Sequence, residues 1–264
     1  MDRLLVLRLE THGCVAEAVV NGVPVARAGG QQALLTLAIH EFILQGSNAI
    51  ELIIHPAAPG LAPANELRHC EGPASASLKL LLPRVGRTAD PASARTLAQL
   101  DWAAAAGDLY EAPLKIDQAV ELPIAFPRWR WLDAPVIVQT ATLKSELAAY
   151  VLNIAAGLAR GDPDPLLRAS RLRLEELAHA YQRNASEEVM RLKLHLQQLH
   201  AAQALKPVLP LAAKMVLRPI AGGRLIECLN PMGGPLLQSP IAGNARAAWP
   251  LRIGSIEGRF YVLR

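Results

Sequence analysis

The sequence predicts an α+β protein: an N-terminal antiparallel β-sandwich, of jelly-roll or immunoglobulin-like type, followed by a domain of three helices and a curled antiparallel sheet. Three observations carry that prediction. The first half is a series of short apolar runs broken by Gly and Pro, the grammar of strands and turns. At Thr142 the apolar spacing changes to that of a helix, and after Pro207 strand-like runs return. A chain of 264 residues accommodates two ordinary cores, and the change of period divides it into 1–139 and 140–264. Hydrophobic residues make up 52% of the chain and charged residues 19%, apolar surface enough to offset the entropy of ordering it.

In the first half, "LLVLRLE" (Leu4 to Glu10) and "VAEAVV" (Val15 to Val20) read as strands joined by the polar "THG". Asn21 and Gly22 then supply the two positive-φ positions of a tight hairpin turn. "FILQGSNAIELIIH" breaks at Gly46, Ser47 and Asn48 and continues as a strand with Ile50, Leu52 and Ile54 on one face, Glu51 and His55 on the other. Ala57 to Ser77 is dense in Pro and Gly and reads as a surface connection. "LKLLLPRVG", "ARTLAQLDWAAAAG", "APLKIDQAVELPIAF" and "PRWRWLDAPVIV" complete the set of short runs. The stretch "VVNGVPVARAG" followed by "LTLAIHEFILQGSNAIELII" resembles the jelly-roll sugar-binding-like domain of glycoside hydrolase family two. That resemblance covers about Val19 to Ile54 and implies a sandwich fold.

In the second half, Leu143, Leu147, Val151, Ile154 and Leu158 recur at helical spacing up to the breaker "GDPDP". Asp164 caps a second helix with Pro165 in its first turn and a stripe running from Leu166 to Tyr181. A third opens at Ser186, where Glu187 and Glu188 suit the positive end of the helix dipole. "VLPLAAKMVLR", "GRLIECL", "AAWPLRIGS" and "GRFYVLR" read as a four-run antiparallel sheet. This order and the terminal "EGRFYVLR" resemble the cone-like fold of the nuclear transport factor two superfamily. The resemblance implies helices covering a bent sheet around a pocket, and carries no functional residue with it.

Composition narrows the function. The formal charge of +4 favours anionic partners only mildly, because the arginines are scattered and aromatic residues are 4% of the chain, which makes no strong case for nucleic acid. The first apolar run is interrupted by Arg8 and reads as a strand, not a signal peptide, and no window approaches the roughly 18 apolar residues of a membrane span. Three cysteines, Cys14, Cys70 and Cys228, argue against a disulfide framework. A soluble, cytoplasmic protein is expected, and the richness in Ala, Leu, Arg and Pro points to a bacterial genome of high GC content.

Site candidates are few. His12, Cys14, His69 and Cys70 have the side chains of a zinc site without its spacing, so no metal is expected. Glu176 and His179 match half of a di-iron helix motif, but Arg191 stands where the second histidine belongs, which leaves Glu176 on a solvated helix face. No nucleophile elbow, phosphate loop or dinucleotide fingerprint occurs, so neither a catalytic residue nor a cofactor is assigned. In "FPRWRW", an extended run places Trp129 and Trp131 on one side and Arg128 and Arg130 on the other. Trp129, Arg130 and Trp131 are read first as inter-domain packing, then as anchors for a partner, then as a sugar platform. Glu227, Trp249 and Tyr261 lie in the last strands and are the candidates to face a pocket. The reading is a binding or adaptor protein that recognises a protein partner or a small ligand. The alternative is a small-molecule enzyme, of isomerase or hydrolase type, with its pocket in the C-terminal domain.

Overall fold

The computed structural model describes residues 4–55, 67–84, 92–111, 113–240 and 246–264. Residues 57–66 of the Pro- and Gly-dense connection read from Ala57 to Ser77 lie outside the described residues, and in its remainder Leu67–His69 and the residues from Ala74 onward are strand. The chain divides into two compact units, Met1–Phe126 and Pro127–Arg264, the first built of strands and the second of helices and strands, an α+β protein. The second unit thus begins before the change of period at Thr142, because Trp129 and Trp131 of the preceding segment pack against Arg264.

The first unit contains β1 (Val6–His12), β2 (Val15–Val20), β3 (Val23–Ala28), β4 (Leu34–Ala38), β5 (Gly46–His55), β6 (Leu67–His69), β7 (Ala74–Leu82), β8 (Arg95–Ala104), β9 (Leu109–Glu111) and β10 (Leu114–Leu122). They form two four-stranded antiparallel sheets, in the orders β4-β1-β7-β8 and β10-β5-β2-β3, with β6 and β9 as a small separate pair. Alternation decides which face is buried: Leu7 and Leu9, Leu78 and Leu80, and Ile50, Leu52 and Ile54 point inward while Arg8, Lys79 and Glu51 do not.

The Asn21–Gly22 pair is the expected bend. Both residues have positive φ, 52° and 75°, and join β2 to β3. Asn21 also pins the neighbouring loop, its amide donating to the Phe42 carbonyl (2.8 Å) and to Asn48 Oδ1 (2.9 Å), while its Oδ1 accepts from the Ala49 N–H (2.9 Å). Asn48 is buried, accepts from the Leu44 N–H (2.7 Å) and donates to the Leu44 and Gly46 carbonyls (both 2.9 Å). This side-chain scaffold lets β5 begin already at Gly46, so the residues read as a break are its first ones.

The second unit contains α1 (Ala141–Ala159), α2 (Asp164–Ala169), α3 (Arg171–Ala180), α4 (Ala185–Ala201), β11 (Val216–Ile220), β12 (Leu225–Leu229), β13 (Leu237–Pro240), β14 (Arg246–Trp249), β15 (Leu251–Ile256) and β16 (Arg259–Val262). The expected second helix is two helices, broken at Ser170 (φ −97°, ψ 6°). α4 starts one residue before the expected Ser186, since Asn184 caps it by accepting from the Ser186 N–H (2.8 Å). Of "VLPLAAKMVLR" only Val216 onward is strand. β11, β12, β15 and β16 form the antiparallel sheet in that order, while β13 and β14 form a separate hairpin. The core joins the inward stripe of α1 (Leu143, Leu147, Val151, Ile154) to Ile226, Ile253 and Val262 of the sheet.

α1 and α2 meet at a glycine. A Cβ on Gly157 would lie 2.7 Å from Pro165 Cγ and 3.0 Å from the Asp162 carbonyl oxygen, so the corner closes only around a residue without a side chain. Gly157→Ala in an ordinary helix interior would add about 1 kcal/mol of stability. Here it is expected to remove about 1–3 kcal/mol through overpacking, read as a lower midpoint in urea unfolding; an unchanged or raised midpoint contradicts the close approach.

Candidate functional site

The tryptophan segment is not an extended strand. Trp129 is extended, but Arg130–Leu132 turn as a 3-10 helix, and the two rings are 0% and 3% exposed. The guanidinium of Arg264 lies 5.3 Å from the Trp129 ring centre and 6.0 Å from that of Trp131. Arg264 donates to Glu176 Oε2 of α3, and Glu176 Oε1 accepts the Arg130 N–H at 2.7 Å. The Arg130 side chain, half-buried, reaches Glu175 (2.7 Å) and the Leu172 carbonyl (3.1 Å). Glu176 is therefore buried and ion-paired, not solvated as its helix pattern implied, and Trp129, Arg130 and Trp131 act as internal struts of the second unit. An anchor for a partner or a sugar needs exposed ring area, which neither tryptophan has.

Glu227 likewise does not face a cavity. It stands in cross-strand register between Arg218 of β11 and Arg252 of β15, and both guanidinium groups donate to its carboxylate. Its neighbour Cys228 turns into the core, where burial and then the Glu227 charge push its thiol up to about 12, so it is no nucleophile near neutral pH. Trp249 packs against the edge of the same core. The other two cysteines are buried free thiols, His69 contacts the Gly107 carbonyl (3.1 Å), and among the described residues no three His, Cys, Asp or Glu side chains gather where a metal would sit.

Tyr261 is the exception, and it leads to a concavity of about 220 Å³ lined by α1, α2 and β16. Each side chain has a local reason to be there. The β15–β16 hairpin turns on Glu257 and Gly258, both at positive φ (51° and 72°), so that Arg259 and Tyr261 fall two apart on one side of β16. Tyr150 and Asn153 are three apart on α1. The Tyr150 hydroxyl donates to the Phe260 carbonyl (3.0 Å), and its ring meets that of Phe260 edge-on at 5.9 Å, which fastens α1 to β16. Burial, then the nearby Tyr261 phenol, raises the Tyr150 hydroxyl well above the usual phenol range, so it stays protonated. Arg168 projects from α2, which the Gly157 corner sets against α1. Arg171 lies 6.0 Å over the Tyr261 ring and is held by Glu175 (3.3 Å).

The chemistry of this concavity is one-sided. Arg168, Arg259, Asn153 and Tyr261 line it, and among the described residues no carboxylate lines it and none of those four side chains has a hydrogen-bond or ion-pair partner. Sequence reasoning found Tyr261 alone. Arg168, Arg259 and Asn153 are single residues on three elements far apart in sequence, and no spacing links them.

Two further concavities are built differently. One, of about 590 Å³, lies on the β4-β1-β7-β8 sheet where Glu10, Ser77 and Asp101 stand in one cross-strand row. Its carboxylates are already engaged, Glu10 by Arg8 and Asp101 by Ser77 (2.6 Å) and Gln99 (2.5 Å). Burial pushes the Asp101 carboxyl up, but those hydrogen bonds and the Lys79 charge outweigh it and hold it below the usual range. Trp102, also beside it, packs against Cys70 and Tyr110. The other, about 340 Å³, is an apolar groove beside the segment from Val208 to Leu211, whose Val208, Leu209 and Leu211 are exposed.

Comparison with family models, with curated proteins and with solved structures found no match to this chain.

If Trp131 is a strut, Trp131→Ala empties a core position and is expected to cost about 3–5 kcal/mol by chemical denaturation. A loss under about 1 kcal/mol would return this stretch to the surface.

Proposed function

We propose that the protein is a binding protein that recognises a small ligand carrying an oxyanion, a phosphate or a carboxylate, in the concavity between α1, α2 and β16. The observation that carries this reading is the pairing of Arg168 and Arg259 at one concavity with no acid among its described lining residues. Several other guanidinium groups of the same unit are met by carboxylates: Arg264 by Glu176, Arg218 and Arg252 by Glu227, Arg183 and Arg191 by Glu188. Those carboxylates are locked in ion pairs, which suits anchoring and not proton transfer. Asn153 and Tyr261 add neutral donors, so an incoming oxyanion meets charge-assisted and neutral hydrogen bonds together.

The architecture fits the same reading. Two facing antiparallel sheets agree with a β-sandwich for the first unit, and helices laid on an antiparallel sheet agree with a cone-like second unit, an arrangement that leaves pockets where helices meet the sheet. No helix among the described residues is long and apolar enough to cross a membrane, and the buried free thiols suit a reducing compartment such as the cytoplasm.

Titration of the full chain with inorganic phosphate and with acetate at low ionic strength tests the reading, with the backbone amides of Asn153 and Tyr261 followed by NMR. At least one anion is expected to shift those amides with a Kd of about 1 mM, weak because the arginines are at the rim and water competes. The double variant Arg168→Gln, Arg259→Gln is expected to weaken binding at least about 10-fold, a loss of 1.4 kcal/mol or more. Silence of both amides with both anions contradicts the proposal.

A further inference from the structure

Resting on that reading, we infer that the oxyanion is the dianionic phosphate of a small phosphomonoester. Three features of the concavity point there. The first is charge: two guanidinium groups, Arg168 and Arg259, with no carboxylate among the described lining residues, balance two negative charges and overbalance one. A phosphomonoester carries close to two near neutral pH, while a carboxylate carries one.

The second is direction. Asn153 comes from α1, Arg168 from α2, and Arg259 and Tyr261 from β16, so the donors approach from three separate elements. A carboxylate offers two oxygens in one plane and is well served by a single bidentate arginine. Three terminal phosphate oxygens, arranged tetrahedrally, accept from three directions at once. Arg171 secures one of these directions, its guanidinium resting over the Tyr261 ring; it does not line the concavity, and it shares Glu175 with Arg130.

The third is size and surroundings. At about 220 Å³ the space is below the roughly 300–1,000 Å³ of sites that enclose a drug-sized ligand, so it holds a head group and leaves the rest of the molecule outside. A phosphorylated peptide would gain affinity by adding a strand along the edge strand β16. The Phe260 carbonyl in that strand is already taken by the Tyr150 hydroxyl, which obstructs such pairing and favours a small molecule.

The test uses the full chain and three probes at equal ionic strength: methyl phosphate, acetate, and a ten-residue peptide with one phosphoserine. Methyl phosphate is expected to bind at least about 10-fold more tightly than acetate, and to strengthen as pH rises from about 5 to about 7, through the second phosphate ionisation near 6. The phosphopeptide is expected to bind no more tightly than methyl phosphate. R168Q/R259Q should abolish the preference, whereas K115Q/R95Q, which removes two exposed charges from the first unit, should retain it. Equal affinity for acetate and methyl phosphate, or no change with pH, overturns the phosphate assignment and leaves an oxyanion site standing. A phosphopeptide more than about 10-fold tighter than methyl phosphate overturns the small-molecule assignment. Binding of neither anion, or binding undiminished in R168Q/R259Q, overturns the site itself.

Discussion

The second unit depends on one buried ion pair. Glu176 of α3 meets Arg264, just beyond β16, where the pair lies against Trp129 and Trp131. Charges taken out of water cost several kcal/mol each, so a buried charge is kept in place by its partner and by the contacts around both. Arg264 Nη1 donates to Glu176 and to the Leu263 carbonyl, and its guanidinium lies against both tryptophan rings. Glu176 also accepts the Arg130 backbone N–H, and the Arg264 backbone N–H and carbonyl pair with Arg252 of β15. The Arg252 side chain continues to Glu227, and Glu227 to Arg218. A line of two ionic clusters, Glu176 with Arg264 and Glu227 with Arg252 and Arg218, joined by the backbone hydrogen bonds of Arg264 and Arg252, thus runs from α3 through the end of β16 and across β15 and β12 to β11.

That line frames the proposed oxyanion site. With Arg264 fixed to α3, β16 is held against the start of the same helix, and Arg171 there settles over Tyr261. The opposite wall is set without charges: the Gly157 corner lets α2 close on α1, and the Tyr150 hydroxyl donates to the Phe260 carbonyl. Arg168 and Arg259 are then the groups left over, charged and facing a common space. The ionic line fixes the frame, and the guanidinium groups at its margin are the ones proposed to recognise the ligand.

Much of the frame was legible in the sequence. The Asn21–Gly22 hairpin, the alternating strands, the stripe of α1 and the return to strands after Pro207 all follow from local chemistry, and each stands where that chemistry puts it. The misreadings share a cause. Glu176 reads as solvated because its partner, Arg264, is 88 residues away, and "FPRWRW" reads as a strand because its alternation is real while its turn is imposed by Glu176. Of the site, Tyr261 was visible as an aromatic in a terminal strand. Arg168, Arg259 and Asn153 carry no signal until three elements meet.

The measurement that bears most directly on this account is a double-mutant cycle between Glu176 and Arg264. Glu176→Gln keeps an oxygen for the Arg130 N–H while removing the charge, and Arg264→Met keeps the length and apolar stem while removing the guanidinium. Each single variant is expected to lose about 3–5 kcal/mol of stability, because it strands a buried charge. The double variant is expected to lose clearly less than the sum, with a coupling of about 1.5 kcal/mol or more. Single losses under about 0.5 kcal/mol, or strict additivity, would show that the pair does not hold the second unit together.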